Sequence, residues 1–213
     1  MNLESKIYVA GHNGMVGSAI VRRLKELGYT NIITSTRNNC NLINQSEVDN
    51  FFDKQKPEYV FLAAKISGIK MCQSFNQQYG TNYISVMPTN LYGPNDNYDL
   101  NNSHVLPAMI RKFHEAKLEG KDKVEIWGTG TPKREFLYVD DLADACIHLM
   151  LNYNDSEIVN IGTGQDVTIA ELAVGIKNIV GFEGDIYFNT EMPDGTPRKL
   201  LDVSKLKGSW LGI

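Results

Sequence analysis

The stretch Lys6-Ile-Tyr-Val-Ala-Gly-His-Asn-Gly-Met-Val-Gly17 constrains the fold more than any other part of this 213-residue chain. A short apolar run, Ile7 to Ala10, leads into Gly11, Gly14 and Gly17, and an amphipathic segment with Ala19, Ile20, Val21, Leu24 and Leu27 follows. Strand, glycine turn, helix is the setting in which such a loop holds a dinucleotide. Gly11 lets the chain turn, Gly14 lets backbone approach a pyrophosphate, and Gly17 lets the helix pack close to the strand. The helix N-terminus, at Met15 and Val16, offers free N–H groups and a positive dipole end to the phosphates.

Strands and helices alternate beyond this loop, which predicts an α/β fold with a mainly parallel sheet of the doubly wound Rossmann type. A second strand is expected from Asn31 to Thr36. Ser46 reads as the N-cap of a helix that Pro57 stops. Tyr59 to Ala64 is apolar throughout, as a strand buried on both faces is. Helical spacing of Ile66, Ile69, Cys72, Phe75 and Tyr79 predicts a helix over 65–79, and Tyr83 to Pro88 the next strand. Further on, a helix is expected from His104 to Glu119 and a strand from Val124 to Trp127. Asp140 reads as the cap of a helix to Leu151, and Val159 to Ile161 as a strand. Thr168-Ile-Ala-Glu171 is a capping box opening a helix to Val180. Residues 1–92 and 136–165 are assigned to a dinucleotide-binding domain, and 93–135 and 166–213 to a small α/β substrate lobe.

A net charge of -4 with no basic stripe excludes nucleic acid and anionic membrane as expected partners. The N-terminus has no signal-like apolar region and no run approaches membrane-spanning length, so a cytoplasmic location is expected. Cys40, Cys72 and Cys146 form no CxxC and are odd in number, so they read as free thiols. The four histidines show no HxxxH or HExxH spacing, and no metal is expected.

A carboxylate after the second strand selects NAD, whereas an Arg suits the extra 2′-phosphate of NADP. Here the strand ends Ser35-Thr36-Arg37-Asn38, with an Arg and no acid, which favours NADP(H). Asn41 and Leu42 are placed to flank the adenine. Ala63 and Ala64, at a strand's C-terminal end, lie where ligands collect in such sheets, or serve packing.

Five segments then carry a resemblance: Ala-Gly-His-Asn-Gly-Met-Val-Gly-Ser-Ala, Ser-Val-Met-Pro-Thr-Asn-Leu-Tyr-Gly-Pro, Asn-Ser-His-Val-Leu-Pro-Ala, Trp-Gly-Thr-Gly-Thr-Pro-Lys-Arg-Glu-Phe-Leu-Tyr-Val-Asp-Asp and Pro-Asp-Gly-Thr-Pro-Arg-Lys. Together they resemble the GDP-L-fucose synthase family of extended short-chain dehydrogenase/reductases. The resemblance runs from residue 5 to about 206 and implies an NADPH-dependent oxidoreductase and isomerase. Such enzymes epimerise C3 and C5 of GDP-4-keto-6-deoxy-D-mannose and reduce C4, giving GDP-L-fucose. A homodimer is implied as well. The resemblance breaks near Ala63–Lys65, where the family carries a further helix–strand unit, and again after Leu206, where it continues. The missing unit holds the family's catalytic Ser, its epimerisation Cys and the Tyr of Tyr-x-x-x-Lys.

By the same resemblance, Lys65 matches the lysine of that motif and His104 the proton donor for epimerisation, also close to the nicotinamide. Pro88, Thr89, Asn90 and Leu91 match the loop beside the nicotinamide amide. Lys112, Trp127, Arg134, Asp194 and Lys199 match positions that hold the GDP-sugar, with Arg111 an alternative to Lys112 and Trp127 either pocket wall or core. Asp140 and Asp141 are either a carboxylate pair or a helix start. Phe61 stands four residues before Lys65 and has no proton to give. Two readings stay open: a GDP-L-fucose synthase, or a silent remnant that keeps NADP and GDP-sugar binding. So do two closures of the sheet: strand 83–88 fills the missing strand's place, or keeps its own and leaves a gap.

Overall fold

A computed structural model describes residues 1–62, 66–100 and 102–210. The chain opens with β1 (Ile7–Ala10), α1 (Met15–Glu26), β2 (Ile32–Ser35), α2 (Gln45–Gln55) and β3 (Tyr59–Phe61). After α3 (Ile66–Tyr79) come β4 (Val86–Pro88), β5 (Asn90–Tyr92), α4 (Val105–Leu118) and β6 (Lys123–Trp127). Next are β7 (Lys133–Arg134), β8 (Phe136–Tyr138), α5 (Val139–Asn152) and β9 (Val159–Ile161). The last elements are β10 (Val167–Thr168), α6 (Ile169–Val180), β11 (Asp185–Asn189), β12 (Arg198–Lys199) and α7 (Ser204–Trp210).

The α/β fold is as the alternation predicts. Parallel strands form β2-β1-β3, with Val9 opposite both Thr34 and Phe61. Two further parallel pairs, β4-β9 and β5-β8, stand apart from it. Among the described strands β3 pairs with β1 alone and β4 with β9 alone, so the sheet is interrupted between them. Of the two expected closures, the second is seen: among the described strands β4 does not pair with β3, and a gap is left.

Helix α5 joins the two parts. Val139, Ala143 and Ile147 pack with Ile7, Val9, Leu24 and Phe61. Leu142, Ala145 and Leu149 pack with Val159, Ile161 and Leu137, and Cys146 touches both groups. A helix buried along most of its circumference needs such all-round apolar composition. A separate core under the lobe gathers Leu106, Met109, Phe113, Ile126, Ala173 and Phe182 from α4, β6, α6 and the turn after α6.

Four local expectations are corrected. Asn44, not Ser46, caps α2: its side chain accepts from Glu47 N, and Glu47 in turn accepts from Asn41 N. Asn is as good a cap as Ser, and the carboxylate decides which is used. The strand at 59 ends at Phe61, short of Leu62, and residues 63–64 lie outside the described residues; Tyr59 and Val60 are half-buried and Leu62 is 56% exposed, as among the described strands β3 pairs with β1 alone. Residues 81–85 are not strand, since Asn76 bonds both Thr81 and the Tyr83 backbone and holds them in a turn. Helix α5 starts at Val139 with Tyr138 as cap, leaving Asp140 in the first turn to pair with Arg22 of α1. Asp140 and Asp141 are thus a helix start. The capping box at Thr168 forms as read, with Gly181 (φ 69°) closing the helix.

Candidate active site

The glycine loop takes the conformation its residues demand. Gly11 sits at φ 71°, a left-handed turn that glycine adopts without steric cost. A Cβ on Gly17 would lie 2.3 Å from the Gly11 carbonyl oxygen, so only glycine lets the helix come this near the strand. Gly14 caps α1 without any side-chain bond, which leaves the N–H groups of the first turn, at Met15, Val16 and Gly17, open to an incoming acceptor. His12 Nδ1, in the same loop, is buried with no partner. The loop has both the room and the unsatisfied donors that a pyrophosphate uses.

Arg37 is exposed in the turn directly after β2 and makes no ion pair among the described residues. Asn41 is tied locally, its Oδ1 accepting from Ile43 N at 3.2 Å, and Leu42 beside it is exposed. Ala63, Ala64 and Lys65 lie outside the described residues. Pro88 closes β4; Thr89 and Asn90 then turn their side chains onto the Glu135 carbonyl, at 3.3 and 2.8 Å. Leu91 packs in one cluster with Val16, which brings the 88–91 turn to the glycine loop. Asn95 adds a bond to Ser18 Oγ at 3.0 Å. Val16 and Ser18 at the start of α1 are thus linked to Leu91 and Asn95.

A second hollow of about 220 Å³ opens between α4, β6 and the 128–134 and 194–195 turns. Lys112, Trp127, Arg134 and Asp194 all line it. Lys112 Nζ lies 5.7 Å from the Trp127 ring centroid and bonds the Glu125 carbonyl. Trp127 is 60% exposed, which makes it a pocket wall and not core. Arg111 faces away, paired with Glu115 and the Tyr98 carbonyl, so of the two cations Lys112 belongs to the hollow. Arg134 donates to the Thr196 carbonyl at 2.6 Å. Asp194 accepts from Thr129 N and Thr129 Oγ1 at 2.9 and 2.7 Å, so it also shapes the wall. Lys199 does not line the hollow; it sits beside Arg134 in the β12-β7 ladder. His104 is the exposed N-cap of α4, one residue before the lining residue Val105, and its ring makes no capping bond.

Sequence reasoning missed Glu135. It is fully buried and accepts from Gly164 N, Thr163 Oγ1 and Leu201 N, while its own carbonyl receives Thr89 and Asn90. One residue thus fastens the 88–91 turn to the 163–164 and 201 segments. A lone carboxylate before the apolar run Phe136-Leu-Tyr138 was the available signal, because charge enters a core only with partners.

The model of the NAD dependent epimerase/dehydratase family matches residues 7–70 and 61–162. The chain belongs to that family. GDP-L-fucose synthase 1 of Arabidopsis thaliana is 43% identical over 279 residues, covering 95% of this chain and 86% of the relative. The GDP-L-fucose synthase of Escherichia coli strain K12 is 36% identical, covering 95% and 90%. A Campylobacter jejuni GDP-D-glycero-L-gluco-heptose synthase, solved in the presence of NADPH, superposes with a TM-score of 0.92 at 33% identity, over 99% of this chain and 94% of that one. The family match comes in two stretches that meet at 61–70, and the 279 aligned positions outnumber the chain's 213 residues. The division of the family match at 61–70 falls between β3 and β4, where the sheet is interrupted.

Proposed function

We propose that this chain serves the GDP-L-fucose synthase reaction: NADPH-dependent 3,5-epimerisation and 4-reduction of GDP-4-keto-6-deoxy-D-mannose. The carrying observation is the pair of sites. The glycine-loop helix α1 starts with no side-chain cap bond, and a hollow lined by Lys112, Trp127 and Arg134 lies along α4, the helix that His104 caps. Gly11, Gly14, Met15, Val16 and Gly17 hold the pyrophosphate of NADP(H). Arg37 takes the 2′-phosphate, Asn41 and Leu42 border the adenine, and Pro88, Thr89, Asn90 and Leu91 border the nicotinamide. Ala63, Ala64 and Lys65, outside the described residues, are assigned to the cofactor by resemblance alone. NADPH supplies the hydride for the C4 reduction when bound.

Lys112 and Arg134 neutralise the sugar diphosphate, Arg134 with a planar fork suited to phosphate. Trp127 offers a face for stacking, and Asp194 and Lys199 border the nucleotide. His104, exposed at the mouth of the hollow, moves the proton at the epimerised carbon, a task imidazole performs near neutral pH. Residues 1–92 and 136–165 form the cofactor domain, and 93–135 and 166–213 the substrate lobe, in this reading. The location is the cytoplasm, and the assembly a homodimer.

A second reading is carried by Phe61 and the interruption beside it. Phe61, four residues before Lys65 in the sequence, has no hydroxyl to give a proton to the C4 oxygen, so in this reading binding survives and turnover does not. Nicotinamide absorbance of purified chain with NADPH and GDP-4-keto-6-deoxy-D-mannose separates the two. Substrate-dependent loss of NADPH supports the full reaction, with a proton donor other than Tyr. An unchanged signal, at concentrations where both ligands bind, leaves the binding-only reading.

A further inference from the structure

Glu135 is bonded to segments of both candidate sites, through its backbone as well as its side chain. Its N–H donates to the Lys199 carbonyl at 3.3 Å. Its carbonyl accepts from Thr89 Oγ1 at 3.3 Å and from Asn90 Nδ2 at 2.8 Å. Its Oε1 accepts from Gly164 N at 2.6 Å and Thr163 Oγ1 at 3.3 Å, and its Oε2 from Leu201 N at 3.1 Å. The side chain is wholly buried, and a Cβ on Gly162 would lie 2.4 Å from Oε1, so the carboxylate is held by packing too. The residue before it, Arg134, lines the hollow with Asp194 and Gly195 and donates to the Thr196 carbonyl. The residue after it, Phe136, opens β8 opposite Asn90 of β5. The 194–201 segment of the hollow and the 88–91 turn of the cofactor side are therefore fastened to three consecutive residues.

We propose that Glu135 is a positioning residue that couples the two sites: a nucleoside diphosphate on Arg134 tightens NADPH at the 88–91 turn, and NADPH tightens the diphosphate by the same factor. Such reciprocity is required of any coupling between two binding equilibria. An anion on the Arg134 guanidinium steadies the 194–201 segment and, one residue on, the carbonyl that Thr89 and Asn90 grip. That ordering is common to both ligands, so the second binds at a lower entropic cost than the first. Glu135 itself touches neither ligand and acts through its neighbours. The inference rests on the reading of the hollow as the GDP-sugar site and of the 88–91 turn as the nicotinamide side.

The test is NADPH affinity, followed by reduced-nicotinamide fluorescence, with and without saturating GDP, for the native chain and for Glu135→Gln. GDP is expected to tighten NADPH about fivefold or more in the native chain, and NADPH to tighten GDP equally. GDP alone is expected to slow hydrogen exchange of the Thr89 amide, which bonds the Ile161 carbonyl at 3.0 Å. Glutamine keeps the shape of Glu135 but sets an NH2 group against the N–H of Leu201 or Gly164, donor against donor. In that variant both ligands are expected to bind with no mutual tightening, and GDP no longer to slow Thr89 exchange. Asn90→Leu removes the 2.8 Å bond on the cofactor side and is expected to lose the coupling as well, which decides the matter if the Gln variant does not fold. A residue that merely holds the fold together would lower stability or both affinities and leave the coupling factor intact, and that result overturns the proposal. So does a native chain that binds both ligands without mutual tightening, or whose Thr89 exchange is unchanged by GDP. A native chain that binds NADPH but not GDP overturns the reading of the hollow, and the proposal with it.

Discussion

Two residues, Gly17 and Arg37, carry the proposed cofactor site. At Gly17 an added methyl group meets backbone of Gly11 at 2.3 and 2.6 Å, and neither strand nor helix can give way without losing the loop. Gly17→Ala is expected to cost about 1–3 kcal/mol in denaturant unfolding and to abolish NADPH binding. A variant of unchanged stability and affinity would show that the close approach is unimportant. Arg37 has no protein partner to compete for it among the described residues. Arg37→Ala is expected to weaken NADPH roughly tenfold or more, the scale of one charge-assisted bond, and to leave NADH nearly unchanged. Equal losses for both nucleotides would remove Arg37 from the 2′-phosphate. Cys146, desolvated between two clusters, has its thiol pushed up to about 12 and is expected to resist alkylation in the folded chain.

Among the elements, α6 is the one whose start is most fully specified. Thr168 Oγ1 receives the Glu171 N–H, and the Glu171 carboxylate receives the Thr168 N–H and hydroxyl. Thr168→Ala is expected to lose about 1 kcal/mol. Those bonds, to the Thr168 backbone first and then its side chain, hold the Glu171 carboxyl below its ordinary value. A group lowered by folding stabilises above its unfolded value and loses that contribution as pH falls through the folded one. Stability is therefore expected to drop below about pH 4.5. In Glu171→Gln the acid-side slope of stability against pH is expected to be shallower; an identical slope would place the effect elsewhere.

The same scale shows what a sequence can carry. The glycine loop, α1, the capping box and β9 were readable because each depends on neighbours within a few residues. The Asn44 cap was not, since Asn44 and Ser46 are equally able and the choice rests on where Glu47 reaches. The half-exposure of Tyr59 and Val60 was not, because an apolar run reports what a strand can bury and not whether a neighbour exists. Two-residue strands such as β10 and β12 carry no period at all. The choice of Lys112 over Arg111 needed the Tyr98 carbonyl, thirteen residues away in sequence and adjacent only in the fold.

For the whole molecule, α5 determines whether the interrupted sheet behaves as one body. Leu149 is 1% exposed on the β9 side, and Ala143, fully buried, lies on the β1 side of the same helix. Leu149→Ala is expected to cost about 2–5 kcal/mol, with fluorescence and circular dichroism still reporting a single transition. Two separated transitions would mean that the parts on either side of the gap fold independently. The ion pairs of Arg22 with Asp140 and of Arg23 with Asp144 join α1 to α5 at partly exposed sites, so they orient the helices more than they stabilise them.

The central claim is that this chain keeps the dinucleotide site of its family despite the interrupted sheet. A titration with NADPH, followed by reduced-nicotinamide fluorescence, tests it most directly. Saturable binding of one NADPH per chain, tighter than that of NADH, is the predicted result. No saturable change at any NADPH concentration, from a chain whose circular dichroism shows it folded, would contradict the account.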